Sequence, residues 1–187
     1  MNPSKLRRGA AIAPVLVLLA YGWALPQDRG QVTAVLVRHA ERAETPADDP
    51  GLTVAGQARA TALVDVARTA NVTAIITTQL LRTRNTAEPT AKSLGIAPEI
   101  LTAGDPRHAQ TVASAIRAHM GKTVLVVGHS NTVPAIMAAL GVKEPAAICE
   151  MEYDKVFVVK IAADGDASVT RSTYGRQTPM DANCQPR

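Results

Sequence analysis

From Val32 onward the chain alternates short apolar runs with longer amphipathic stretches, the pattern of strands separated by crossover helices in an α/β fold. Val32 to Val37 is apolar on both faces, as a central parallel strand requires. Leu52-Thr53 opens a helical pattern through Ala70, with Leu63, Val66 and Ala67 spaced along one face. Val72 to Thr77 reads as a second strand, and Gln79 to Leu94 as a helix with Gly95 at its C-terminal cap. A short strand over Pro98 to Thr102, a helix from Pro106 to Met120, a doubly apolar strand from Thr123 to Val127 and a helix from Val133 to Leu140 follow. Val156 to Ile161 and Ser168 to Tyr174 flank the turn signal Asp164-Gly165-Asp166, which predicts an antiparallel hairpin at a sheet edge. The expected architecture is a three-layer sandwich, a mostly parallel central sheet with helices on both faces.

The segment before this pattern is different. Lys5, Arg7 and Arg8 precede an apolar run from Ala10 to Ala20, and small residues Gly22 and Ala24 flank Trp23, the layout of a secretory signal cleaved after Ala24. An uncleaved membrane anchor is the alternative reading. Either way the domain is expected outside the cytoplasm, periplasmic or extracellular. The chain divides into a leader over 1–24, one domain over 31–175 and a C-terminal tail over 176–187.

The leader also changes the charge picture. The net charge of +4 suggests nucleic acid or a membrane surface, but with the three leader cations set aside, 17 cations face 16 anions. Only five aromatic residues are present and no basic run, so nucleic acid is excluded as a partner. A membrane contact is expected only if the leader is retained. Cys149 and Cys184 are the two cysteines, and export would permit them to pair, stabilising the fold by roughly 3 to 4 kcal/mol in the chain-entropy model; two unrelated thiols are the alternative.

Four histidines are present, and two of them, His39 and His129, fall just beyond the two most apolar strands. Catalytic groups gather outside the carboxyl ends of parallel strands, so both imidazoles are candidates for one crevice. Arg38 precedes His39, and Arg82 lies just after the second strand. Their planar, permanently charged forks suit phosphate oxygens better than lysine would. Arg84 reads as part of a solvated helix face. His108 reads as a surface residue near the proposed pocket, and His119, near a helix C-terminus, as structural. Thr132 and Pro134 read as capping the helix after His129. No metal-ligand spacing such as His-Glu-x-x-His or paired cysteines occurs.

The chain resembles the histidine phosphatase superfamily, also called phosphoglycerate mutase-like, in four blocks taken in the family's order. They are Arg38-His39-Ala40-Glu41, a variant of the Arg-His-Gly signature; Leu52-Thr53-Val54-Ala55-Gly56-Gln57-Ala58; Thr77 to Ala87, whose Arg82 matches the second phosphate-binding arginine; and Val126-Val127-Gly128-His129-Ser130-Asn131. The resemblance implies phosphomonoester hydrolysis in which neutral His39 attacks phosphorus and water then hydrolyses the phosphohistidine. Arg38, Arg82 and His129 would surround the phosphoryl oxygens, His129 serving the chemistry as well. No cofactor and no metal are implied. The substrate would be a phosphorylated small molecule or a phosphoprotein. A catalytically degenerate phosphate-binding protein and a phosphomutase are the alternatives, the mutase disfavoured because Thr77 to Thr123 is short for a substrate-enclosing insertion.

The proton donor is where the sequence departs from the family. The acid phosphatase branch carries an aspartate after its second histidine, whereas Ser130 stands here. The mutase branch carries a glutamate in the region where this chain has Asp105, which is therefore the first candidate, although it would equally cap a helix beginning at Pro106. Glu150 and Glu152 come next, and Glu41 either touches the site or steadies the loop.

Overall fold

The computed structural model describes residues 30–178. The strands are β1 (Val32–Arg38), β2 (Val72–Thr77), β3 (Glu99–Ile100), β4 (Thr123–Gly128), β5 (Lys155–Ile161) and β6 (Ala167–Thr173). The helices are α1 (Val54–Thr69), α2 (Leu81–Leu94), α3 (His108–Arg117) and α4 (Thr132–Ala139). The six strands form one sheet in the order β3-β2-β4-β1-β5-β6. β1 to β4 are parallel, and the β5–β6 hairpin joins antiparallel on the far side of β1, as the turn signal predicts.

Alternation along β1 assigns its side chains to two cores. Val32, Ala34 and Leu36 pack with Val112, Ile116, Ile136 and Met137 of α3 and α4. Val35 and Val37 pack on the opposite face with Leu63, Ala67 and Ala87 of α1 and α2. Right-handed crossovers explain the division: from β1 to β3 the chain moves one way across the sheet, and from β3 to β5 it moves back, so the helices change face. The reversal separates the connections leaving β1 and β4, which are neighbours, and a crevice opens between their carboxyl ends.

Element ends follow local chemistry. Thr53 caps α1, its hydroxyl accepting from the Gly56 N–H at 3.1 Å. Gly95 ends α2 in the left-handed conformation at φ 66°. α3 is shorter than the apolar spacing predicts. Asp105 takes the Arg107 N–H at 2.7 Å and holds Pro106 and Arg107 in a turn, and the His119 N–H reaches the Ile116 carbonyl at 2.9 Å beyond the helix end. The strand expected over Pro98 to Thr102 pairs only at Glu99 and Ile100.

The expected leader over 1–24 lies outside the described residues, as does the tail from 179. Residues 176–178, also expected to be tail, are held to the domain. The Arg176 carbonyl accepts from Arg59 at 2.8 Å, and the Thr178 hydroxyl donates to Asp154 at 2.7 Å. No helix among the described residues is long and apolar enough to cross a membrane.

The close approach of α1 to the segment after β1 requires Gly56. A Cβ there would lie 2.3 Å from the Glu41 carbonyl oxygen, a backbone atom that Thr53 also fixes through its N–H at 2.9 Å. Gly56→Ala is expected to lower unfolding stability by about 1–3 kcal/mol, the range for overpacking. A wild-type midpoint in urea denaturation would contradict this packing.

Candidate active site

The site is assembled by strand register. Arg38, the last residue of β1, pairs with Gly128, the last of β4, so the next residue on each strand is a histidine at the same level. The His39 N–H bonds the Gly128 carbonyl at 2.9 Å, and the two imidazole centroids stand 5.4 Å apart. Both rings are buried at the wall of a cavity of about 370 Å³ that Arg38, Arg82, Ser130 and Glu150 also line.

His39 Nδ1 lies 2.8 Å from the Ala40 carbonyl oxygen. A carbonyl only accepts, so Nδ1 carries the proton and Nε2 presents its lone pair. Burial lowers the His39 pKa to about 3; the Ala40 hydrogen bond opposes the shift, and the charges of Arg38, His129 and Arg82 add to it. His129 is lowered to about 4, by burial first and then by Arg82, His108 and Arg38, with Glu150 acting the other way. Its Nε2 stands 3.2 Å from the Thr78 hydroxyl, which bonds Thr83 at 2.8 Å, so the start of α2 orients the second imidazole. Thr132, expected to cap α4, turns its hydroxyl back to accept the His129 N–H at 2.9 Å.

Arg38 is buried against the segment before β5. Its Nη1 faces the carbonyls of Cys149 at 2.9 Å, of Glu150, and of Glu152 at 3.5 Å, while Nη2 bonds the Glu150 carboxylate at 2.8 Å. The guanidinium stacks on Tyr153, 4.3 Å from the ring centroid, and Nε is buried without a hydrogen-bond partner among the described residues. Cys149 is disulfide-bonded; the chain's other cysteine, Cys184, lies outside the described residues. Arg82 enters the cavity from the first turn of α2, its pKa lowered by burial and by the Arg42 charge.

The loop after β1 is braced on two sides. The Ala40 N–H donates to Thr86 of α2 at 2.9 Å. Glu41 receives a forked pair from Arg59 of α1, with Nε to Oε2 at 2.9 Å and Nη2 to Oε1 at 2.8 Å. Burial opposes ionisation of Glu41, but these bonds prevail and hold its carboxyl below the ordinary value. Glu41 therefore steadies the loop, the second of its two expected roles. Arg59 was not singled out from the sequence. Its signal was there: it precedes Leu63 and Ala67 by four and eight positions, on the apolar face of the helix, where a cation needs a buried partner.

The other sequence candidates fall apart from this cluster. Asp105 is exposed, caps the turn before α3 and is not among the cavity's lining residues. Glu152 accepts the Cys149 N–H at 3.0 Å and faces Lys155, holding the loop rather than lining the cavity. His108, expected at the surface, is buried, and burial lowers its pKa. Its Nδ1 has no hydrogen-bond partner among the described residues. The first turn of α3 faces inward toward Thr102, which the apolar spacing did not reveal. His119 is half-buried and Arg84 exposed, as expected. Among the described residues no group of three or more His, Cys, Asp or Glu could hold a metal ion.

Residues 34–104, which include Arg38, His39 and Arg82, match the model of the histidine phosphatase superfamily (branch 1). A search of curated proteins found no match. Among solved structures the chain is similar to the protein histidine phosphatase SixA complexed with tungstate, at 17% identity and TM-score 0.62, over 75% of this chain and 96% of that one. It is similar also to a mycobacterial glucosyl-3-phosphoglycerate phosphatase, at 16% identity and TM-score 0.58, over 77% and 98% of the two chains. A phosphoserine phosphatase from Entamoeba histolytica in complex with 3-phosphoglyceric acid gives 16% identity and TM-score 0.57, over 78% and 98%. At these identities the likeness establishes the shared fold.

Buried imidazoles with lowered pKa values, His39 and His129 most and His108 in the same direction, make stability depend on pH. An unfolded histidine binds a proton below pH 6.5, whereas folded His129 and His39 do so only near pH 4 and 3. Their burial therefore costs nothing above pH 6.5 and destabilises the fold increasingly as pH falls toward those values. The unfolding free energy is expected to fall between pH 6.5 and about 5, and His39→Gln should reduce that slope by roughly one proton. Urea denaturation across this range checks it; an unchanged slope in the variant would exclude a buried neutral ring at position 39.

Proposed function

We propose that this chain belongs to the histidine phosphatase superfamily and hydrolyses phosphomonoesters outside the cytoplasm through a phosphohistidine on His39, without metal or cofactor. The observation that carries the reading is the tautomer of His39. Its Nδ1 proton is committed to the Ala40 carbonyl, so an unprotonated Nε2 faces a cavity lined by two guanidiniums and a second imidazole. A ring with its pKa lowered to about 3 is neutral throughout the ordinary pH range, so the lone pair needs no separate base to expose it.

The chemistry follows from charge and position. A phosphoryl group entering the cavity brings negative oxygens to Arg82 and to Arg38, whose Nε is a buried donor without a hydrogen-bond partner among the described residues. His39 Nε2 attacks phosphorus and the ester oxygen departs. In the loose transition state charge lies on the equatorial oxygens, where fixed guanidiniums and the His129 ring act with little reorganisation. Water then attacks the phosphohistidine and frees His39.

Hydrolysis is favoured over transfer to a second hydroxyl because between Thr77 and Thr123 the chain builds only α2, β3 and α3, with no further element to close over the cavity. The cationic leader pattern supports export, and a disulfide at Cys149 suits an oxidising compartment. The substrate class is a phosphorylated small molecule or a phosphoprotein.

Wild-type protein is expected to release inorganic phosphate from a panel of monoesters in excess chelator. His39→Ala should lower the rate by about three orders of magnitude or more while remaining folded. Radiolabelled substrate should leave an acid-labile, base-stable label on wild type and none on His39→Ala. Full activity in the variant, or activity recovered only with a divalent ion, would refute the proposal.

A further inference from the structure

Resting on the phosphatase reading above, the geometry points to Glu150 as the residue that protonates the departing ester oxygen and then takes the proton from the attacking water. Neither the branch pattern after the second histidine nor the position of Asp105 supplies that group. Ser130 stands directly after His129, yet its hydroxyl donates to Glu150 Oε1 at 2.7 Å. Glu150 Oε2 meets Arg38 Nη2 at 2.8 Å. A carboxylate from the segment before β5 is thereby brought into the cavity between the residue preceding the nucleophile and the residue following the second histidine.

Its backbone is fixed and its side chain is half exposed, the combination a proton shuttle needs. Arg38 binds the carbonyls of Cys149 and Glu150, Cys149 is disulfide-bonded, and Glu152 holds the Cys149 N–H. Of the other carboxylates among the described residues, all but Asp48 are absent from the cavity lining. Glu41 is forked to Arg59, Glu152 serves the loop, and Asp105 holds the turn before α3. Asp48 also lines the cavity, but from the exposed loop after β1, with no hydrogen bond to Arg38, Ser130 or either histidine.

Proton bookkeeping closes over the cycle. A monoester whose second ionisation lies near pH about 6 arrives in part as its monoanion. Its phosphoryl oxygens meet Arg38, and the substrate's proton passes to the neighbouring Glu150 carboxylate. As the His39 Nε2–phosphorus bond forms and the phosphorus–ester oxygen bond breaks, the Glu150 carboxyl gives that proton to the departing oxygen, which leaves as an alcohol. Water then forms its bond to phosphorus, the phosphorus–nitrogen bond breaks with its electron pair returning to Nε2, and the water proton passes to Glu150. Phosphate takes that proton from Glu150 and leaves as its monoanion, and the ionised carboxylate returns to Arg38 Nη2.

The test is the dependence of kcat/KM on the leaving group for wild type, Glu150→Gln, Glu150→Asp and Asp48→Asn, over esters running from 4-nitrophenyl phosphate to simple alkyl phosphates. This ratio reports the steps up to transfer onto His39, so hydrolysis of the phosphoenzyme does not blur it. Glu150→Gln is expected to lose about 10²- to 10⁴-fold on alkyl phosphates and less than about tenfold on the nitrophenyl ester, steepening the dependence. Glu150→Asp should recover part of the alkyl rate. A uniform loss across the series in Glu150→Gln would mean that Glu150 only positions Arg38, and would overturn the assignment. So would a steepened dependence in Asp48→Asn with Glu150→Gln unchanged. Should Glu150→Gln fail to fold, Glu150→Asp carries the test: a loss greater on alkyl phosphates than on the nitrophenyl ester supports the role, and an equal loss, or none, across the series overturns it. A wild type that turns over while Glu150→Gln keeps its leaving-group dependence sinks this inference alone; a wild type that releases phosphate from no ester sinks the phosphatase reading with it.

Discussion

The parallel pairing of β1 with β4 is the constraint on which everything else depends. Because Arg38 and Gly128 are partners in that ladder, the residues that follow them, His39 and His129, emerge side by side where the crossover helices part to opposite faces. A slip of one residue would turn the alternating side chains of β1 into the wrong cores, so the apolar sequence that stabilises the sheet also fixes the distance between the two rings. Neither imidazole needs a ligand to be in place. The same burial that completes the cores keeps both rings uncharged, so packing leaves the His39 ring neutral without an auxiliary base.

Around this register the chain surrounds cations with oxygen atoms. Arg59 ties α1 to Glu41, to the Tyr174 carbonyl at 3.0 Å and to Arg176, so one buried guanidinium joins the loop after β1 to the end of β6. Arg38 does the same for the loop before β5. Pairing alone would not justify burying either charge, since desolvation offsets much of the attraction. What each gains is a fixed position for the loops that carry Ala40 and Glu150, and the site needs position most.

Much of this was legible in the sequence, for identifiable reasons. β2 falls on Val72–Thr77 as the apolar run indicates, and Gly95 caps α2 as its place after Leu94 suggests. His39, His129 and Arg82 were marked by their places just beyond strands, a position that topology turns into proximity. For the proton-handling group the sequence placed Asp105 first and Glu150 only after it. Asp105 stands before a proline and a helix, where local capping competes with catalysis and holds the side chain. Glu150 lies in a stretch without periodicity, 112 positions from the arginine it meets, and only the folding of that loop onto Arg38 brings it to the cavity. His108 was misplaced because a polar residue in a first helical turn looks solvated until the neighbouring loop closes over it.

The pairing of the first and fourth strands also decides when the protein can act. Arg38 meets its carbonyl partner at Cys149 across 111 positions of chain, and His39 and His129 follow the ladder partners Arg38 and Gly128, which pair only after α1, β2, α2, β3 and α3 have intervened. No contiguous fragment that lacks either half holds both rings. Under the proposed export, a chain still in extended form would carry every one of these side chains without the site, which forms only where the long-range contacts close.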